Sequence, residues 1–116
     1  MSKLNPVAQK WVEALRSGEY KQASQALREN GGFCCLGVLC DLAGKHGLGE
    51  WEQDTWFLGC GASVPVEVRQ WSGLKTSYGT LGNRTLAEIN DDGAAFAEIA
   101  ELIEQHADEL FVDGAA

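Results

Sequence analysis

The sequence predicts a mainly α, α+β fold: a single small domain with a buried central helix, amphipathic helices at both ends, and a few short strands or long ordered loops between them. Three observations predict it. Val7, Trp11, Ala14 and Leu15 recur at helical spacing near the amino terminus. Residues 33–45 are apolar on nearly every side, as a helix surrounded by core must be. Phe96, Ile99, Ala100 and Ile103 fall at i, i+3, i+4 and i+7, with Glu98, Glu101, Glu104 and Gln105 on the opposite side. At 116 residues the chain is long enough for one core and nothing in it calls for a second, so one domain over 1–116 is expected, fraying over 111–116.

The first helix, over 5–17, begins with Asn5 as cap and Pro6 in the first turn, where a missing N–H costs nothing, and stops at Ser17-Gly18. "EYKQASQALREN" fits either a short helix or an irregular turn. After Gly31-Gly32 comes the central helix, whose Gly37 and β-branched Val38 lower its intrinsic propensity. "EWEQDTWFLGCGASVPVEV" reads as one or two small strands or a structured loop, followed by a short helix over 66–73 begun at Pro65. Gly79, Gly82 and Gly93 break the next stretch around a strand or short helix at 85–89. The last helix spans 93–107, with Asp91 and Asp92 at its amino end, where negative charge is favoured. No internal repeat or linker interrupts this order.

The formal net charge of −8 excludes wholesale binding to a nucleic acid polymer, and its distribution is uneven. Residues 1–85 hold all nine Lys and Arg against eight Asp and Glu, a balance of +1, whereas 86–116 hold nine acids and neither Lys nor Arg. The body can therefore host an anion even though the chain is acidic. With no apolar run suited to a signal peptide or a membrane span, the expected place is the cytoplasm, where thiols stay reduced.

Cys34, Cys35, Cys40 and Cys60 lack the paired Cys-x-x-Cys spacing of a zinc site, so core packing is preferred to a metal. Cys34 or Cys35 at a helix start would gain thiolate character, but His46 lies at the other end of that helix, about 16 Å away at 1.5 Å per residue, which argues against a cysteine enzyme. The "EINDDGAAFAEIAE" stretch offers oxygens at Glu88, Asn90 and Asp92 with Gly93 in sixth place, yet position twelve is Ile99, so it fails as a calcium loop. Asn90 and Asp92 remain candidates for capping and for a ligand.

Gly31 and Gly32, read as a helix start, offer backbone N–H groups to a phosphate, with Arg28 just upstream and Arg69, Lys75 and Arg84 available from the second half. Four tryptophans is a high number for this length. Trp11 belongs to a helix stripe, whereas Trp51 and Trp56, with Tyr78 in another loop, are placed to stack on a base or meet a partner.

"KWVEALRSGEYKQ", "FCCLGVLCDLAG" and "LAEINDDGAAFAEIAELIE" together resemble a group of small proteins encoded by tailed bacteriophages and prophages, over most of the chain. That group shares a Trp-x-x-x-Leu-Arg-Ser-Gly opening, the cysteine-rich centre and an Asn-Asp-x-Gly-x-x-Phe-x-x-Ile-Ala ending, and this chain departs at Ala94 or Ala95, where a longer hydrophilic residue often stands. The resemblance implies an accessory role in the bacterial host. By analogy with unrelated phage proteins that capture nucleotide alarm signals, the leading expectation is a non-enzymatic, counter-defence binding protein for a small anionic, nucleotide-like ligand. It requires no cofactor. Arg28, Arg84 and the backbone at Gly31 and Gly32 would hold phosphate, Trp56 or Tyr78 the base, with Asn90 and Asp92 at the rim. Two alternatives are an inhibitor that meets a host protein through Glu98, Glu101 and Glu104, and a small enzyme working through Cys35. Self-association is left open.

Overall fold

The structure is a computed structural model that describes residues 4–53 and 55–112. In chain order it runs through α1 (Pro6–Arg16), β1 (Arg28–Glu29), β2 (Gly32–Phe33), α2 (Cys35–Lys45), β3 (Trp51–Glu52) and β4 (Trp56–Phe57). It continues through α3 (Val66–Ser72), β5 (Thr80–Leu81), β6 (Arg84–Thr85), α4 (Leu86–Asp91), α5 (Phe96–Gln105) and α6 (Ala107–Leu110). The strands pair antiparallel as three separate two-stranded hairpins, β1 with β2, β3 with β4 and β5 with β6. The α+β architecture expected from the sequence is the one observed.

The core is assembled on α2, where Cys35 through Cys40 and Ala43 are all buried. Helix α1 brings Ala8, Trp11, Val12 and Leu15 to it, and α5 brings Phe96, Ile99, Ala100 and Ile103. Trp11 is fully enclosed, and its indole N–H donates to the Cys35 carbonyl at 2.9 Å, which satisfies the one polar group a buried tryptophan carries. Asn5 caps α1 as expected, accepting from the Ala8 N–H at 2.8 Å while its own amide donates to the Ser72 carbonyl at 2.8 Å.

Four expectations are corrected. The central helix begins at Cys35, with Cys34 as its cap, because residues 28–33 fold into a hairpin instead. Asn30 and Gly31 both adopt positive φ, 51° and 79°, the left-handed pair that a tight two-residue hairpin turn requires. "EYKQASQALREN" is neither helix nor plain turn: Gln22 lies parallel to Phe33, with Phe33 N–H donating to the Lys21 carbonyl at 2.7 Å and Ala23 N–H to the Phe33 carbonyl at 2.8 Å. The last predicted helix is divided. Asp91 ends α4 and Asp92 caps its carboxyl end; α5 starts only at Phe96, and His106 separates α5 from α6.

The fourth concerns the carboxyl end. Phe111 is buried, meets Trp11 edge-on at 6.2 Å between ring centres and bridges to Leu74; Val112 N–H donates to the Gly73 carbonyl at 2.8 Å. Fraying at 111 and 112 is thus replaced by a fixed contact, and 113–116 lie outside the described residues. Among the described residues no helix is long and apolar enough to cross a membrane.

Candidate functional site

The hairpin β3–β4 and the loop after it turn back on Gly61, whose carbonyl accepts the Leu27 N–H at 2.8 Å. This return leaves Trp56 with its ring over Gly61 and 47% exposed. Across from it stands Tyr78, 45% exposed, on the loop before β5. Both rings line one groove of about 600 Å³, floored by Ala26, Cys60 and Gly61 and edged by Gln25 and Ser63. An inner recess of about 80 Å³ shares Gln25, Ala26, Ala62 and Tyr78 and reaches Cys34 and Asp91.

Aromatic walls, small residues on the floor and hydroxyl and amide groups at the edge are what a flat, hydrogen-bonding ring needs. Among the described residues that line the larger groove there is neither Lys, Arg, Asp nor Glu. Gln25 is held at φ 68°, an uncommon value for a side-chain-bearing residue, and its N–H donates to Asp91 Oδ1 at 2.8 Å, so α4 fixes the groove's lip.

The structure brings Trp56 and Tyr78 together and separates the remaining sequence-derived candidates from them. Gly31 sits at the tip of a hairpin and Gly32 is a buried strand residue, so neither opens a helix. The true start of α2 is buried and spends its N–H groups internally: Cys35 N–H donates to Asn90 Oδ1 at 3.2 Å and Gly37 N–H to Cys34 Sγ at 3.4 Å. An anion therefore has no seat there.

Arg28 places its guanidinium 5.2 Å from the Phe33 ring centre and 5.4 Å from that of Trp51, a cation held on aromatic faces. Arg84 is paired with Asp92. Asn90 is buried, and its amide is consumed by three neighbours: Oδ1 accepts from Gln22 Nε2 at 2.9 Å and from Cys35 N–H, and Nδ2 donates to the Ala23 carbonyl at 2.8 Å. It is a structural hub. Trp51 is half-buried against Phe33 and Phe57, and its indole N–H donates to Asp41 at 3.1 Å, which removes it from the stacking candidates.

The acidic face of α5 is partly committed within the chain as well. Glu104 pairs with Arg16 at 2.6 Å, and Glu98 accepts the Ala95 N–H at 3.1 Å.

Burial pushes the Cys34 thiol up to about 11 and raises those of Cys35 and Cys40 as well. These thiols stay protonated at neutral pH and are poor nucleophiles. Cys60 is the half-exposed one, on the groove floor. Among the described residues no group of His, Cys, Asp or Glu is arranged to hold a metal ion. Treatment of the folded chain with a thiol reagent at pH 7.5 is expected to modify Cys60 alone, with the other three reacting only in denaturant. Rapid native labelling of Cys34 or Cys35, read by peptide mapping, would contradict the burial.

Fold and groove together define a small α+β domain with an aromatic-walled cleft beside its first two hairpins, and among the described residues that line the larger groove none is charged. The chain belongs to the family described as Domain of unknown function (DUF8296), whose model matches residues 4–107. No curated protein and no solved structure matches the chain.

Proposed function

We propose that this chain is a binding protein without catalysis of its own, which captures a nucleotide-like ligand by holding its base between Trp56 and Tyr78. The observation that carries this reading is that two exposed aromatic rings from separate loops line one groove whose described lining residues carry no charge. Stacking on such rings contributes about 1–3 kcal/mol per base and tolerates different bases, while Gln25, Thr55 and Ser63 offer donors and acceptors to a ring edge. The phosphates of the ligand point to solvent in this arrangement, since Arg28 and Arg84 are engaged elsewhere. Capture of a bacterial nucleotide signal, by analogy with unrelated phage proteins that do so, is the role such a cleft suits.

Native mass spectrometry of the chain mixed with nucleosides, nucleoside monophosphates and cyclic dinucleotides tests the proposal. The expected result is a retained mass increment that Trp56→Ala weakens by roughly 5- to 150-fold, the equivalent of 1–3 kcal/mol. Bound ligand should also protect Cys60 from thiol modification. Nucleoside and nucleotide should bind about equally, with little dependence on salt. Retention of none of these probes, or equal binding by Trp56→Ala, would refute the reading.

A further inference from the structure

We propose a second, independent ligand site: the pocket bounded by Val66, Arg69, Lys75 and Val112 binds an aliphatic carboxylate. The pocket, of about 390 Å³, shares no lining residue with the Trp56–Tyr78 groove. It exists because α3 ends at Gly73, where φ of 80° reverses the chain, and because Leu74 then pairs with Phe111. Lys75 N–H donates to the Leu110 carbonyl and Val112 N–H to the Gly73 carbonyl, both at 2.8 Å. These bonds set Val112 facing the side of α3.

The walls are apolar where solvent would favour polar residues. Val66 is 53% and Val112 47% exposed, two of the four large apolar side chains left in that state among the described residues, and buried Leu74 lies between them as floor. Two cations stand on the same wall. Arg69 Nη2 donates to the Lys75 carbonyl at 2.6 Å and Lys75 Nζ donates to the Asp108 carbonyl at 3.0 Å, so both side chains are oriented by backbone oxygens.

Their charge is not neutralised. The ion pairs among the described residues use Arg16, Lys45, Arg84 and His106, and neither Arg69 nor Lys75 has a carboxylate in reach. A planar fork of donors matches a carboxylate, an adjacent ammonium adds charge, and valine and leucine walls select an alkyl group beside it. That chemistry is met by a short fatty acid and by a peptide ending in a free aliphatic residue.

The full chain, ¹⁵N-labelled, would be titrated with hexanoate, hexanol and inorganic phosphate, and with a short peptide ending in leucine as the free acid and as the amide. Saturable amide shifts at Leu74, Lys75 and Val112 are expected with hexanoate, with the free-acid peptide, or with both. Whichever binds identifies the source. Lys75→Gln, an exposed change that leaves the fold alone, and Arg69→Lys, which keeps charge but loses the fork, should each weaken binding by about tenfold. Absence of saturable shifts with both acids, or shifts equal with hexanol or with phosphate, would overturn the proposal.

Discussion

Gly37→Ala is expected to destabilise the fold severely, although alanine is the better helix former by about 1 kcal/mol. A Cβ at this position of α2 would stand 1.7 Å from the Leu27 carbonyl oxygen and 2.7 Å from its carbon, and both are backbone atoms. Leu27 cannot retreat cheaply. Its N–H is bonded to the Gly61 carbonyl at 2.8 Å, and its carbonyl accepts the Cys34 N–H at 3.1 Å. Relieving the clash means separating the first hairpin from the helix or from the Gly61 loop, which breaks the groove at the same time. The loss should exceed about 4 kcal/mol, a large share of the 5–15 kcal/mol that holds a domain of this size. Circular dichroism and urea titration measure it; a variant as stable as the parent would show that this contact is far looser than described.

Asn90→Ala should rank second. It removes three hydrogen bonds at a position 2% exposed, and it leaves the Cys35 N–H and the Ala23 carbonyl without their partner. At about 1–3 kcal/mol for each stranded buried group, the expected loss is about 3–5 kcal/mol. On a domain of this length that corresponds to a fall in Tm of roughly 15–30 °C. Asn90→Asp keeps the acceptor and loses the donor toward Ala23, and should fall between. A change below about 1 kcal/mol for Asn90→Ala would mean that water replaces the amide at little cost.

These two residues also show what could be read from the sequence. Gly37 is visible as a weak point in an apolar helix, but its purpose depends on a carbonyl ten residues earlier, which no periodicity reveals. Asn90 belongs to a run of Asn and Asp that suggests a ligand loop, because three acceptors in a row look alike whether they face solvent or core. Only the fold distinguishes buried Asn90 from exposed Asp91 and Asp92. Apolar stripes were legible because period and burial are linked by helix geometry, and α1, the body of α2 and α5 lie where those stripes are.

Two local signals were present and outweighed. Asn30-Gly31 is a hairpin turn pair, overlooked beside the apolar run that follows it. Thr85 and Glu88 have the spacing of a reciprocal cap, and each accepts the other's backbone N–H, at 3.1 Å and 3.0 Å, where α4 begins. The pairing of Trp56 with Tyr78 had no such signal. It results from Leu27 reaching Gly61 across the fold, so exposed aromatic residues could be named from the sequence while their convergence could not. The basic residues show the converse: the place of Arg28 just before Gly31-Gly32 suggests a phosphate ligand, and the aromatic faces that occupy it come from two different hairpins.

Asn5 bonds to Ser72 and Val112 bonds to Gly73, so the two extremities of the described chain are fastened to adjacent residues of a single short segment. The architecture is in effect a closed circle that has been cut there. Where a circle is cut is a matter of connectivity and leaves the packing unchanged, so a few flexible residues could join the extremities while the chain is reopened at an exposed turn such as Gly47. The order of helices along the polypeptide would change, and their arrangement in space would remain.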